Sequence, residues 1–179
     1  MDLRAVTRES EDIQILERIN EDALPDNERV PLDGMMESGA EVIGIYEKKE
    51  PVGFLVLRKF RNIRYLAFLA VRKDRRCRGT GGRALREFLN QYEENQVVVE
   101  FETPDPNAEK TDMRHRRKNF YLRNGFFETG WYNYYDDVEF EIGCSKPEYD
   151  AEAYEDFVDF FDTIVPGYMP KPYQKKQVI

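Results

Sequence analysis

Histidine and cysteine are scarce in this chain, and long apolar runs are missing altogether. The lone histidine, His115, and the two cysteines, Cys77 and Cys144, make no spaced metal set, so no metal is expected. One histidine also removes most serine or cysteine triads. No apolar run is long enough to span a bilayer, so no membrane partner is expected. The opening Met1-Asp2-Leu3-Arg4 lacks the apolar core of a signal peptide, so the expected compartment is the cytoplasm, with both thiols reduced. Basic residues are the minority: 27 Lys and Arg against 35 Asp and Glu give a net charge of -8, which disfavours nucleic acid as a partner. No internal repeat or low-complexity linker is found. What is present is a chain of 179 residues with 41% hydrophobic and 13% aromatic content, enough for one domain with a real core.

The positive charge is clumped. Arg72, Lys73, Arg75, Arg76, Arg78, Arg83 and Arg86 fall in one window, and residues 114–118 form a second. Two compact basic spots on an acidic chain point to a compact polyanion such as a nucleotide cofactor. Within the first window, Arg75-Arg76-Cys77-Arg78-Gly79-Thr80-Gly81-Gly82 follows the apolar run 65–71 and opens a helical pattern over 80–94. Glycines let main chain approach an anion, and the first free N–H groups of a helix point at whatever binds there. Arginines add forked donors suited to phosphate oxygens.

Periodicity predicts a strand at 3–6, a helix at 10–23 capped by Ser10, and a loop carrying Pro25 and Pro31. Strands at 42–46, 52–58 and 63–71 form an antiparallel meander. After the helix at 80–94 comes a strand at 97–103, and a helical crossover between two strands implies a parallel pair. A helix at 112–123 stops at Asn124-Gly125, and strands at 126–135 and 138–143 form a hairpin about Asp136-Asp137. Tyr149, Ala153, Phe157, Phe160, Phe161 and Ile164 mark the apolar stripe of a last helix, and 166–179 reads as an extended tail.

The spacing Arg76-x-x-Gly79-x-Gly81 resembles the pyrophosphate-binding loop of the GNAT superfamily of N-acetyltransferases. Phe120-Tyr121-Leu122-Arg123-Asn124-Gly125-Phe126 is similar to that family's later segment, and the element order agrees. The resemblance covers residues 3–142. It implies an α/β (α+β) GNAT fold, with a mixed, mostly antiparallel sheet that has one splayed parallel strand pair and is flanked by helices. A domain over 1–145 is then expected, with a C-terminal amphipathic helix and tail over 146–179 packed on it.

Function follows from the same resemblance. The expected enzyme is a GNAT-type N-acetyltransferase moving an acetyl group from acetyl-CoA, as cosubstrate, to a primary amine by direct attack. Main-chain groups of Leu69, Ala70 and Val71 would hold the pantetheine arm. Amides of Arg78, Gly79, Thr80, Gly81 and Gly82, with Arg76, would bind the pyrophosphate, and Tyr121 would protonate the departing thiolate. Many relatives carry Asn and Ala where this chain has Arg114 and Arg117, which share a helix face with Tyr121 and are candidates for a coenzyme phosphate.

Glu100 and Glu102 share one face of an otherwise apolar strand. Glu102, nearer the strand end, is the candidate base, directly or through water, with Glu100 as a structural salt-bridge partner. The acceptor, a small molecule or a protein amine, is expected to be chosen by the loops around 25–36 and the late hairpin, in a monomer or homodimer. A coenzyme A-binding regulator without catalysis is the alternative. Gly79-Thr80-Gly81-Gly82-Arg83-Ala84 also fits G-x-G-x-x-A, but the long basic approach from Val71 and the preceding meander argue against a dinucleotide fold.

Overall fold

The computed structural model describes residues 1–23, 29–107, 109 and 112–175. The chain forms two compact units, Met1–Lys59 with Tyr65–Gln91, and Phe60–Arg64 with Tyr92–Ile179. The first carries β1 (Asp2–Val6), α1 (Ile13–Ala23), α2 (Leu32–Glu37), β2 (Glu41–Glu47), most of β3 (Glu50–Phe60) and β4 (Ile63–Val71), a 3-10 turn at Lys73–Arg75, and α3 (Thr80–Gln91). Its strands lie in the order β1-β2-β3-β4. β1 and β2 pair antiparallel with Leu3 opposite Ile45, and β2 and β3 with Val42 opposite Val56. β2 and β3 are apolar on successive residues and buried on both faces. Leu16, Ile19, Leu32, Val42, Phe54 and Val56 meet in one core. Each such fully buried side chain contributes roughly 1.5–3 kcal/mol.

The second unit carries β5 (Gln96–Glu102), α4 (Met113–Leu122), β6 (Phe127–Tyr135), β7 (Val138–Cys144), α5 (Ala151–Asp162) and β8 (Tyr173–Gln174), with strand order β5-β7-β6-β8. Every pairing here is antiparallel among the registers Glu100 with Ile142, Asn133 with Phe140, and Tyr132 with Tyr173. Asp112 caps α4 by accepting from the Arg114 N–H at 2.8 Å, and Gly125, at φ 103°, follows its end. Asp150 caps α5, and Gln96 clasps the Asp150 main chain through both amide atoms, at 2.8 and 3.0 Å.

Several expectations need correction. Helix α1 starts at Ile13, because the Ser10 hydroxyl accepts from the Thr7 N–H at 2.9 Å and closes a turn of its own. Part of the loop expected around Pro25 and Pro31 is the helix α2, begun by Pro31; residues 24–28 of that loop lie outside the described residues. Helix α3 ends at Gln91 rather than residue 94. On α5 the buried stripe is Tyr154, Phe157, Val158 and Phe161, while Phe160 and Ile164 are exposed. The tail begins with turns and bends over 166–169 rather than as extended chain, and Tyr173–Gln174 then adds an extended strand to β6.

Candidate functional site

The end of β4 is set by a glycine on its neighbour. A Cβ on Gly53 would lie 2.4 Å from the Ala70 carbonyl oxygen and 3.3 Å from Val71 Cα, so only glycine lets β3 run this close to the Ala70-Val71 main chain. Arg72 N–H then donates to the Val52 carbonyl at 2.8 Å. The loop that follows contains two left-handed residues, Cys77 at φ 58° and Gly79 at φ 77°. Helix α3 begins directly after them, with Arg83 N–H donating to the Gly79 carbonyl at 3.0 Å. The amides of Thr80, Gly81 and Gly82 precede that first intrahelical bond, so they have no carbonyl partner within α3. Successive amides around alternating backbone conformations form a concave anion cradle, aided by the helix dipole.

The arginines divide their work in a way the sequence reading missed. Arg83 donates to Glu47 at 2.5 Å, and the Thr80 hydroxyl donates to the same carboxylate at 3.3 Å. Arg75 lies 3.8 Å from Glu47 and 3.6 Å from Glu50, and Arg72 forks onto Asp74 at 2.7 and 3.1 Å. The Arg83 hydrogen bond holds the Glu47 carboxyl below its usual range. These residues, with Met1 and Lys48, line a cleft of about 450 Å³ of mixed charge. Arg72, Arg75 and Arg83 of the first basic window are therefore paired with carboxylates of the same unit. Arg76 Nε donates to the Val71 carbonyl at 2.8 Å and braces the loop on β4, while Arg78 is exposed. Cys77 is an exposed loop residue.

The second unit holds the proton-handling candidates. Tyr121, at the end of α4, stacks on Phe101 with ring centroids 5.8 Å apart and meets Phe126 edge-on at 5.4 Å. Phe126 N–H donates back to the Tyr121 carbonyl at 3.2 Å, so the Gly125 turn fixes the tyrosine's backbone. Burial pushes the Tyr121 phenol up, opposed by the positive charge of Arg117. The hydroxyl therefore stays protonated through neutral pH, the state an acid needs. Lys118, one turn earlier, donates to the buried Glu141 at 2.7 Å and also to Glu128, tying α4 to β7 and β6.

Arg114, a candidate for a coenzyme phosphate, pairs through Nε with Glu102 Oε2 at 2.8 Å. Glu100 accepts hydrogen bonds from Asn133, Tyr135 and Tyr154. The signal for that hub lay in the polar and aromatic alternation of β6, which reads equally as an ordinary hairpin. Among the described residues no group of three or more His, Cys, Asp or Glu is placed to hold a metal, and no helix is long and apolar enough to cross a membrane.

Main-chain amides at the start of α3 form an anion cradle in the first unit, and a buried tyrosine closes α4 in the second. The Acetyltransferase (GNAT) domain family matches residues 38–128, just over half of the chain, and the chain belongs to that family. Comparison with curated proteins finds no match. Among solved structures, the fold is similar to a protein from Bacteroides thetaiotaomicron described as a GNAT-family acetyltransferase. That match has 26% identity and a TM-score of 0.72, over 93% of this chain and 99% of the other. A GNAT-family acetyltransferase from Elizabethkingia anophelis with acetyl-CoA bound shares the fold at 15% identity and TM-score 0.59, covering 80% and 95% of the two chains. The aminoglycoside 6'-N-acetyltransferase from Enterococcus faecium does so at 15% identity and TM-score 0.63, covering 84% and 100%. The expected fold class holds, and the dinucleotide alternative falls with it.

Proposed function

We propose that this GNAT acetyltransferase moves the acetyl group of acetyl-coenzyme A to an amine by direct attack. The observation that carries the reading is the cradle at residues 77–82, whose two left-handed residues turn main chain toward the start of α3. Acetyl-coenzyme A supplies an activated thioester when bound. The amides of Arg78, Gly79, Thr80, Gly81 and Gly82 bind its diphosphate, with Arg78 as the exposed cation of the loop and Arg76 as its brace. Main-chain groups of Leu69, Ala70 and Val71 hold the pantetheine arm and supply N–H donors for the developing oxyanion.

Tyr121 gives the proton that the leaving thiolate takes, and Glu102 takes the proton of the amine, directly or through water. Arg114 orients Glu102 in this reading, and Arg117 is the candidate on α4 for a coenzyme phosphate. The acetyl-CoA bound to the Elizabethkingia neighbour supports the coenzyme, and the aminoglycoside enzyme supports an amine as acceptor.

Gly81→Val tests the cradle, because a β-branched side chain blocks close approach of a diphosphate. Calorimetry should show coenzyme A binding lost while circular dichroism reports an intact fold. Undiminished affinity would remove the loop from the site.

A further inference from the structure

After α5 the chain returns to the edge of β6 as a strap whose Met169 and Pro172 are buried. Tyr173–Gln174 then pairs with Trp131 and Tyr132. Two residues of strand supply few main-chain bonds, so the end of the strap is held by its side chains. The Tyr173 hydroxyl donates to Glu139 Oε2 at 2.8 Å, and Lys175 Nζ donates to Glu139 Oε1 at 2.6 Å. The strap thus takes both oxygens of one carboxylate. The Lys175 ammonium also stands 4.2 Å from the centre of the Tyr132 ring, while Lys171 pairs with Asp159 at 3.1 Å in the open, where an ion pair adds little. Burial acts to raise the Glu139 carboxyl, but the bonds from Lys175 and Tyr173 hold it below its ordinary value. Glu139 is therefore charged at neutral pH, the state that binds the strap best.

The main chain of the same residue closes the outer end of the β5–β7 ladder. Glu102, where β5 stops, is the last residue of the register and lies opposite Phe140. One step further, the Thr103 N–H donates to the Glu139 carbonyl at 2.9 Å. The outermost bond of a ladder opens most readily, since it has a neighbour on one side only. Here that bond ends on a residue whose side chain is tied down by the strap. The Glu102 carboxylate, paired with Arg114 at 2.8 Å, sits one residue inside it, so an open end would let the carboxylate wander.

We propose that the C-terminal strap is a clasp for the proton-transfer end of β5: Tyr173 and Lys175, by holding Glu139, keep the Thr103 bond closed and are positioning residues for Glu102. The positioning role rests on the reading of Glu102 as the base; the closing of the ladder end by the strap does not.

Amide hydrogen exchange of the full-length protein, read by NMR, follows the ladder end through the Thr103 amide. Lys175→Met keeps the bulk of the side chain and removes its ammonium, so Thr103 should exchange about tenfold or more faster, as expected for loss of a charged hydrogen bond. Amides in the middle of β5 should keep their rates, and Lys175→Arg should restore that of Thr103. Tyr173→Phe should act in the same direction as Lys175→Met. In a thiol-release assay Lys175→Met should lower kcat severalfold, leave KM for acetyl-coenzyme A unchanged, and cost less than Glu102→Gln, because the clasp acts only through Glu102. Wild-type exchange at Thr103 in both strap variants overturns the clasp. Faster exchange with wild-type kcat, where Glu102→Gln does lower kcat, overturns the positioning role. Wild-type kcat in Glu102→Gln as well removes the reading of Glu102 as base, and the positioning role with it, while faster exchange at Thr103 still upholds the clasp.

Discussion

Replacing Gly53 by alanine is the smallest change expected to disturb the coenzyme site without touching a residue that meets the coenzyme. The added Cβ would sit 2.4 Å from the Ala70 carbonyl oxygen, 3.2 Å from Ile45 Cδ1 and 3.3 Å from Val71 Cα. Ordinary contact needs about 3.4 Å or more, so β3 and the end of β4 must part by roughly 1 Å. The obstacle is main chain, so no side-chain rotation relieves it. Overpacking of this kind costs about 1–3 kcal/mol, and at this chain length each kcal/mol lowers the thermal midpoint by roughly 2–4 °C. A drop of roughly 2–12 °C is therefore expected. The same shift moves the main chain proposed to hold the pantetheine arm, and a misplacement of about 1 Å costs on the order of a hundredfold in turnover. Thermal melts, calorimetry with coenzyme A and a thiol-release assay read the three effects separately. An unchanged midpoint would refute the packing argument. A lowered midpoint with unchanged coenzyme affinity and turnover would remove Ala70 and Val71 from the site.

Tyr121→Phe keeps the ring stack on Phe101 and deletes the proton, so turnover should fall by about a hundredfold with coenzyme affinity unchanged; wild-type turnover would return the role to water. Lys118→Met leaves Glu141 buried without its cation and should cost about 3–5 kcal/mol in urea unfolding, a loss that adding Glu141→Gln should largely reverse. The Glu47 carboxyl is held below its ordinary value of 4.5 by Arg83, so its stabilising contribution is complete above that value and drains away as pH falls below it. Glu47→Gln should flatten the acid side of the stability profile in melts between about pH 6 and about pH 3, and a profile as steep as the wild type's would count against the pair.

Much of the fold was legible in the sequence because its signals are local. The run at 63–71 is β4 to the residue, and the Asp136-Asp137 turn joins β6 to β7 with Asp136 at φ 48°. Asp112 and Gly125 bracket α4 as their capping chemistry requires. The errors arose where a short-range cue had a competing use. Ser10 is a good helix cap by type, yet its hydroxyl closes the turn with Thr7 instead. Helix α2 has only six residues and contains Gly34, too brief for any periodicity to stand out. β8 has two residues, held where Tyr173 and Lys175 reach Glu139 at 2.8 and 2.6 Å. In the candidate site, the glycine loop was visible, but its charge balance was not. Glu47 and Glu50 reach the arginines from a strand turn more than twenty residues earlier, a relation no local window contains. Gly53 was silent for the same reason, since its importance lies in the carbonyl of Ala70 across the strand pair.

Thiol release from acetyl-coenzyme A, measured with the wild-type chain across a panel of amines, tests the central claim most directly. The account predicts release that depends on both the protein and the amine and that matches the acetylated amine formed mole for mole. Coenzyme binding with no release above spontaneous hydrolysis on any amine would contradict it.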